Sequence, residues 1–397
     1  MHNTKKRVLN VITLAAVILS IASLSVLALG QSNTAPALAM FDAAVKQPTS
    51  VAGASIVTDR PRGFNPLTAS SAELDKYGLP PRPDPQANPR AFSQWTKAMQ
   101  ALQYRAADVK ALPFSSANLK MANQPSAAAI SAAPTQYYSY NWSGVANTNN
   151  VKSWNNVSSF NYVQSTFNVP VAQPPFGACK NGITGSKNVP GFYEASWNGI
   201  DGFSNGDVLQ GGSLSYADCG GRADNVYIGW VEWYPSYPIL EIDCAQGKKV
   251  VPCTVRAGDQ FFVITYGANA TTQYVYVEDV TVGWYGTFSL AYVNGPLLVG
   301  SSAEQVVERP CCDPDGSVLA LTNYIANSFD YAWATNGKAQ VYGPGQQNAA
   351  TAVIDMVDDG VTQTISTVNQ GSAGFQGYYS LFFESENCAY EGGCVAY

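Results

Sequence analysis

The chain has 397 residues, of which 13% are charged, and its formal net charge is −6 at neutral pH. Its one histidine is His2, so a mature protein without the first residues has no imidazole. This excludes Ser-His-Asp and Cys-His catalysis and histidine-ligated zinc, and it leaves carboxylates, amides and hydroxyls as candidate catalytic groups. We expect no cofactor, no metal and no nucleic-acid partner.

The first residues have the order of charge and hydropathy of an export signal. Lys5, Lys6 and Arg7 precede an apolar stretch from Val8 to Leu29. This order predicts a signal peptide over residues 1–30, and hence a secreted, extracellular protein without membrane contact after signal cleavage. The apolar stretch is long for a signal, so an uncleaved N-terminal membrane anchor is the alternative.

Charge then divides the chain in two. Residues 31–136 carry 10 Lys and Arg against 6 Asp and Glu, a net charge of +4, whereas residues 137–397 carry 9 against 22, a net charge of −13. Opposite charges suggest that the first part docks on the second, and that acid weakens the contact by neutralising carboxylates. We therefore expect residues 31–136 to be a prosegment and linker that inhibits the rest. A small separate domain or a spacer is the alternative.

A short helix is predicted inside this prosegment. Phe92, Trp95, Met99 and Leu102 recur at helical spacing after a proline-rich stretch. The small-residue stretch 122–136 has no apolar period, so we expect it to be a linker that is open to proteolysis.

Residues 137–397 have the pattern of an all-β domain. Stretches rich in Val, Tyr, Phe and Thr alternate with Gly, Asn and Asp turns, and no amphipathic helix of ten or more residues is evident. The clearest predicted strands are 160–171, 226–235, 260–267, 273–286 and 378–384. We predict an antiparallel β-sandwich of two packed sheets, jelly-roll or concanavalin-like, and a monomer.

Eight cysteines lie in this part of the chain. An even number in an exported chain is typical of disulfides, and Cys244–Cys253 and Cys388–Cys394 are the plausible local pairs. The adjacent residues Cys311 and Cys312 need either separate partners or a bond to each other.

Carboxylates on strands are the main candidate catalytic groups. Glu232 lies in one predicted strand, and Glu304 and Glu308 lie in another. Residues four apart on a strand point to the same side, so Glu304 and Glu308 share a face and the spacing does not choose between them. Solvent-exposed sheet glutamates would give the same pattern. Gln210 is unusual in another way, as an amide among apolar and glycine residues at the start of a strand.

Several short motifs occur in one order along this domain. They are NWSG (141–144), FNVP (167–170), SWNGIDG (196–202), LQGG (209–212), EWYP (232–235), AGD (257–259), AEQVVE (303–308), LTN (321–323) and DM (355–356). Together they resemble the glutamic peptidase (eqolisin) family of secreted acid proteases. The resemblance implies a β-sandwich made as a preproprotein, protein or peptide substrates, and a catalytic dyad of Gln210 and Glu308.

The same resemblance implies further site residues. Trp142, Trp197 and Tyr234 would line the substrate groove, and ordinary sheet packing is the alternative for each of them. Asp201 and Glu232 would be supporting carboxylates near the dyad.

Four positions depart from the family pattern. Asn198, Gly211, Leu214 and Gln305 stand where the family has valine, threonine, an acidic residue and tryptophan. The loss of an acidic residue at Leu214 bears on the pH optimum and the subsites, and leaves the dyad in place.

Two functions of other classes also fit a chain rich in Tyr, Trp and Asn. One is a carbohydrate-binding or adhesive β-sandwich, because aromatic faces stack on sugars. The other is a jelly-roll glycosidase that uses Glu232 and Glu308, whose carboxyl groups would be about 5–5.5 Å apart in a retaining enzyme. Acid-dependent cleavage of a protein substrate distinguishes both from a peptidase.

Overall fold

The computed structural model describes twelve stretches of the chain. They are residues 45–57, 60–61, 63–117, 119–122, 135–154, 156–220, 226–312, 316–338, 341–344, 351–358, 364–373 and 379–385. The predicted signal peptide, most of the predicted linker and the predicted Cys388–Cys394 pair lie outside the described residues.

The first part of the chain contains both α-helices of the described residues. Its elements are β1 (Lys46–Pro48), β2 (Ala54–Val57), α1 (Ser71–Lys76), α2 (Pro89–Ala101) and β3 (Tyr104–Ala111). Trp95, Ala98 and Met99 are buried on one side of α2, so the helix predicted from the spacing of apolar residues is confirmed. Helix α1 was not predicted, and it begins with a capping box formed by Ser70 and Glu73.

The rest of the described chain is made of strands and one 3₁₀ turn, Cys179–Asn181. The strands up to the middle of this part are β4 (Thr135–Ser139), β5 (Trp142–Thr148), β6 (Phe160–Asn168), β7 (Phe192–Ile200), β8 (Val208–Ala217), β9 (Val226–Tyr234), β10 (Leu240–Gln246) and β11 (Lys249–Pro252). The later ones are β12 (Gln260–Asn269), β13 (Thr272–Asp279), β14 (Trp284–Ala291), β15 (Ser302–Glu308), β16 (Ala326–Asn336), β17 (Val341–Tyr342), β18 (Thr351–Val357), β19 (Thr364–Ala373) and β20 (Tyr379–Ser385).

These strands form two packed layers, as predicted for a β-sandwich. The first layer has the order β4–β18–β5–β15–β7–β8–β9–β10, and the second has the order β19–β20–β16–β6–β12–β13–β14–β2–β1. β3 pairs with β10 and, through two residues, with β14. The described strand pairs are antiparallel except β3–β14 and β4–β18, which are parallel.

The main core lies between the layers. Residues such as Leu209 and Val231 from the first layer meet Phe261, Val263 and Val275 from the second. Each such side chain contributes roughly 1.5–3 kcal/mol by leaving water. Because side chains alternate across a strand, every second residue of β5, β15, β7, β8 and β9 points the other way. That opposite side is called here the outer face of the first layer.

The first part of the chain packs onto this sandwich within one compact unit that spans Pro36–Tyr397. β2 adds to the edge of β14, and β3 adds to the edge of β10. Helix α2 lies on the second layer, where Trp95 and Met99 join a cluster that includes Phe262 and Tyr276. The first part of the chain therefore contributes strands to the edges of both layers.

One predicted strand, 273–286, is in fact a hairpin of β13 and β14. The Asp279 side chain accepts the backbone N–H groups of Thr281 and Val282 at 2.9 Å, and Gly283 takes a positive φ of 89°. Such side-chain-to-backbone bonds favour a turn over a continued strand.

Disulfides join Cys179 to Cys219, Cys244 to Cys253, and Cys311 to Cys312. The predicted Cys244–Cys253 pair is confirmed, and the adjacent cysteines bond to each other. No helix within the described ranges is both long enough and apolar enough to span a lipid bilayer.

Candidate active site

Cross-strand register brings the candidate polar residues to the outer face of the first layer. Gln210 on β8 lies opposite Glu232 on β9 and opposite Gly199 on β7, which in turn faces Glu304 on β15. Glu308 is four residues further along β15. Since paired residues on neighbouring strands point to the same side, all four polar side chains share this face.

Gln210 forms a direct hydrogen bond with Glu232. Its side-chain Nε2 donates to Glu232 Oε2 at 3.0 Å, and both side chains are fully buried. The bond fixes the orientation of the amide, with its NH₂ group toward the carboxyl. The resemblance placed Glu232 near Gln210, and the structure makes it the hydrogen-bond partner of Gln210.

Glu308 is held by donors from two parts of the chain. Trp197 Nε1 donates to Oε2 at 2.8 Å, and the backbone N–H of Ala117 donates to Oε1 at 3.0 Å. The hydroxyl of Ser116 also donates to Oε2. Burial raises the pKa of Glu308 to about 7, and these hydrogen bonds oppose that rise because they favour the charged form.

Ser116 also links Glu308 to Glu232. The backbone N–H of Ser116 donates to Glu232 Oε2 at 3.0 Å. Burial raises the pKa of Glu232 well above its ordinary value, and the neighbouring Glu308 raises it further. Two carboxyl groups that interact in this way resist being ionised together. Ser116 therefore bridges the Gln210–Glu232 pair and Glu308.

Ser116 and Ala117 belong to a stretch whose described residues, 112–117 and 119–122, run along the outer face; this stretch is called here the covering segment. Ser115 exchanges two backbone hydrogen bonds of 2.7 Å with Cys311. The carbonyl of Ala117 accepts from Trp142 Nε1 at 3.0 Å, and the backbone N–H of Lys120 donates to Asn141 Oδ1 at 2.7 Å. The segment is thus held mainly through its backbone, in the manner of a bound peptide.

Apolar side chains of the covering segment complete this contact. Leu112, Phe114 and Leu119 pack against a cluster on the outer face. The ring of Phe114 meets that of Tyr193 edge to face, with centroids 5.7 Å apart. Within the segment, Ser116 and Ala117 are almost wholly buried.

Two of the three aromatic residues that the resemblance implies for a substrate groove lie beside Glu308 and the covering segment. Trp142 and Trp197 are fully buried and pack edge to face, with ring centroids 5.0 Å apart. Their indole N–H groups point to Ala117 and Glu308 respectively. Tyr234 is half-buried and packs at the edge of the same cluster.

Asp201 has a different environment. Its carboxylate accepts the backbone N–H groups of Val299, Gly300 and Ser301 at 2.7–2.8 Å. The hydrogen bonds described for this carboxylate thus run to a loop and not to Gln210 or Glu308. Asp201 and Asp207 also raise the pKa of Glu304, although burial is the larger cause. Glu304 therefore faces a set of acids and Glu308 faces the covering segment.

The departures from the family pattern lie mostly on the other side of the strands. Asn198 donates to Ser165 Oγ at 2.8 Å between the layers, and a Cβ atom on Gly211 would come within 2.5 Å of a Val275 methyl group. Gln305 also points to the inner side, between the layers, whereas Leu214 packs in the outer-face cluster. Only Leu214 therefore changes the surface that carries the candidate site.

Three residues of the candidate site are not among the site residues predicted from the sequence. Asn141 precedes Trp142 in the NWSG motif, and that motif is the signal that could have found it. Ser116 and Ala117 lie in a short stretch of small residues without a motif. Among the described residues, no group of three or more His, Cys, Asp or Glu side chains is placed to hold a metal ion.

Comparison with known proteins identifies the family. The family model described as "Peptidase A4 family" matches residues 140–376. No curated protein matches the chain.

Solved structures with partial similarity include scytalido-glutamic peptidase with a transition state analog inhibitor. It is 20% identical, with 61% of this chain and 97% of that chain covered and a TM-score of 0.44. SCP-B, a member of the eqolisin family in a complex with the tripeptide Ala-Ile-His, is 17% identical, with 62% and 98% covered and a TM-score of 0.44.

Aspergilloglutamic peptidase from Aspergillus niger is 23% identical, with 49% and 99% covered and a TM-score of 0.38. Because these identities and TM-scores are low, the family is assigned from the family model and not from these structures. That model covers more than half of the chain. The chain therefore belongs to the Peptidase A4 family and is a glutamic-type hydrolase, as its motifs indicate.

Proposed function

We propose that this protein is a secreted acid endopeptidase in which Glu308 is the general base and Gln210 stabilises the oxyanion. One observation supports this most. Glu308 and the Gln210–Glu232 pair lie on one sheet face. Glu308 accepts the backbone N–H of Ala117, and Glu232, the partner of Gln210, accepts the backbone N–H of Ser116. The site therefore holds two consecutive residues of a peptide between Glu308 and the carboxyl that is bonded to Gln210.

The chemistry divides between the two residues. Glu308 takes a proton from a water that attacks the scissile carbonyl carbon, and it then gives a proton to the departing amine. Negative charge develops on the carbonyl oxygen, where the NH₂ group of Gln210 donates a hydrogen bond. Gln210 does not titrate, so it donates equally well in acid, where an imidazole is protonated and cannot act as a base.

The pKa of Glu308 supports an acidic working range. The covered site keeps it at about 7, and burial is the main cause. When the covering segment leaves, water reaches the carboxyl and weakens the burial that raises its pKa. Glu308 is then ionised, and active as a base, in mild acid.

The covering segment supports a self-blocked precursor. It occupies the backbone-binding positions around Glu308, so a substrate and the segment compete for the same place. Residues 31–136 then act as the inhibitory prosegment, with residues 1–30 as the signal for secretion. Family membership favours this peptidase over the sugar-binding and glycosidase alternatives, which share only the sheet and its carboxylates.

Single substitutions test the assignment. In purified, acid-treated enzyme we expect Glu308→Gln to abolish cleavage of a denatured protein, and Gln210→Ala to slow it by about 10²–10³-fold through the loss of one oxyanion donor. Glu304→Gln is the matched control, since it makes the same change on the same face of the same strand and should keep activity.

The assay is run with a chelator present and includes a polysaccharide substrate. Near wild-type proteolysis by Glu308→Gln or Gln210→Ala would overturn the proposed roles. Hydrolysis of the polysaccharide without proteolysis would favour the glycosidase alternative.

A further inference from the structure

The covering segment binds in a way that identifies one of its peptide bonds. Backbone hydrogen bonds hold it on both sides of residues 116 and 117. Before them, Ser115 pairs with Cys311, and after them Lys120 donates to Asn141. The carbonyl of Ala117 accepts from Trp142 at 3.0 Å. Residues 116 and 117 are therefore fixed in position beside Glu308.

The nitrogen of Ala117 lies where a leaving nitrogen would have to lie. Its N–H donates to Glu308 Oε1 at 3.0 Å, which is within the range for proton transfer between heavy atoms. Under the proposed function, Glu308 gives a proton to the nitrogen of the bond that breaks. This geometry singles out the peptide bond between Ser116 and Ala117.

The hydroxyl of Ser116 occupies the other oxygen of the same carboxyl. It donates to Glu308 Oε2, which also accepts from Trp197 Nε1 at 2.8 Å. An attacking water must donate its proton to this carboxyl, and Ser116 is fully buried against it. The hydroxyl thus fills the space that the water requires.

We infer that the covering segment lies in the site as a substrate does, with the Ser116–Ala117 bond at the catalytic position and the Ser116 hydroxyl in place of the attacking water. This inference rests on the proposed function. The register also places Phe114 against Tyr193, two residues before Ser116. The site then favours peptides with a large apolar side chain at that position and a small residue after the cleaved bond.

The blocked reaction follows from this register. Without the hydroxyl, a water enters and Glu308 accepts its proton while the water oxygen bonds to the carbonyl carbon of residue 116. The C–N bond then breaks, and Glu308 returns the proton to the nitrogen of Ala117. The products are a new carboxyl group on residue 116 and a new amino terminus at Ala117.

The test compares purified full-length precursors at several values between about pH 4.5 and pH 7, so that Glu308 is partly ionised in the covered site, and follows intact mass and new amino termini with time. We expect Ser116→Ala to acquire an amino terminus at Ala117 about tenfold faster than wild type or more. Ser50→Ala is the matched control, because the Ser50 hydroxyl bonds to the carbonyl of Val109, away from the site, and it should behave as wild type. Adding Glu308→Gln to Ser116→Ala should stop the cut.

A second variant tests the subsite. Phe114→Ala, added to Ser116→Ala, should slow the cut at Ala117 while cleavage of a denatured protein by the activated enzyme stays unchanged. That cleavage also shows that each variant has folded.

Two outcomes would overturn the inference. One is wild-type processing by Ser116→Ala, and the other is a first cut in residues 112–122 at a different bond. Failure of the proposed function looks different, because the wild type would then not cleave denatured protein in acid at all.

Discussion

The first part of the chain meets the sandwich in two regions of opposite character. On the second layer, helix α2 buries Trp95 and Met99 among aromatic side chains. On the first layer, the covering segment makes its central contacts to the carboxyls of Glu232 and Glu308. Apolar burial is the larger source of binding free energy, whereas bonds to carboxyls depend on protonation. The helix therefore secures the first part of the chain, and the covering segment makes the contact sensitive to sequence and pH.

The largest effect is expected in the helical region. Trp95→Ala removes a side chain that is 2% exposed and should lower the free energy of unfolding of the docked first part of the chain by about 3–5 kcal/mol. Hydrogen exchange of residues 89–101 in the precursor measures this. Trp95→Phe is the control, since it keeps most of the packing and loses the bond to the Pro80 carbonyl. Equal protection in Trp95→Ala and wild type would show that α2 does not secure the first part of the chain.

The next effect concerns pH at the covered site. A carboxyl whose folded pKa is raised stabilises the folded form fully below its unfolded pKa, and this stabilisation is lost as pH rises through the folded value. For Glu308 that window runs from 4.5 to about 7, which corresponds to about 3 kcal/mol. Glu232 acts in the same direction.

The covering segment should therefore be held more tightly in mild acid than at neutral pH. This is opposite to the acid release that the division of charge predicts, because burial is the largest influence on the pKa of both carboxyls. Release then depends on cutting the chain. Exchange rates of residues 112–122, corrected for intrinsic chemistry, can be compared at about pH 4.5 and pH 7 in the Gln210→Ala precursor. Stronger protection at neutral pH would restore the charge-based view.

The smallest effect is expected at the start of α1. The Ser70 hydroxyl accepts the backbone N–H of Glu73 at 3.2 Å, and Ser70→Ala should cost about 0.5–2 kcal/mol of local stability. Thr68→Ala is the control, as its hydroxyl makes only a 3.4 Å bond to Asn65. Thermal unfolding of the two precursors should differ by a few degrees, and a larger loss in Thr68→Ala would contradict the role of the cap.

The sequence predicted the elements whose signal is local and not those set by distant partners. The spacing of Trp95 and Met99 was enough for α2. Val280 and Val282 continue the apolar alternation through the turn, so the sequence predicts one strand where the structure has the hairpin of β13 and β14. The covering segment has no periodic pattern, since its structure comes from the strands and carboxyls that it meets.

The candidate site shows the same limit. Strand spacing placed Glu304 and Glu308 on one face, and only the family resemblance chose between them. The structure separates their surroundings, with acids near Glu304 and the covering segment at Glu308. The bond between Gln210 and Glu232 depends on the register of β8 and β9, which local sequence does not encode.

The contacts of Asn141 have a consequence for the substrates of such an enzyme. Its side-chain amide donates to the carbonyl of Ala117 and accepts the N–H of Lys120, so it binds backbone groups and not side chains. Binding through the backbone at this position does not depend on the substrate side chains, provided that several consecutive residues are free to lie extended. Globular proteins bury such stretches, and acid exposes them by unfolding the protein. On the proposed function, the acidic surroundings make the substrate accessible, and the selection of side chains is left to other positions, such as the one that Phe114 occupies.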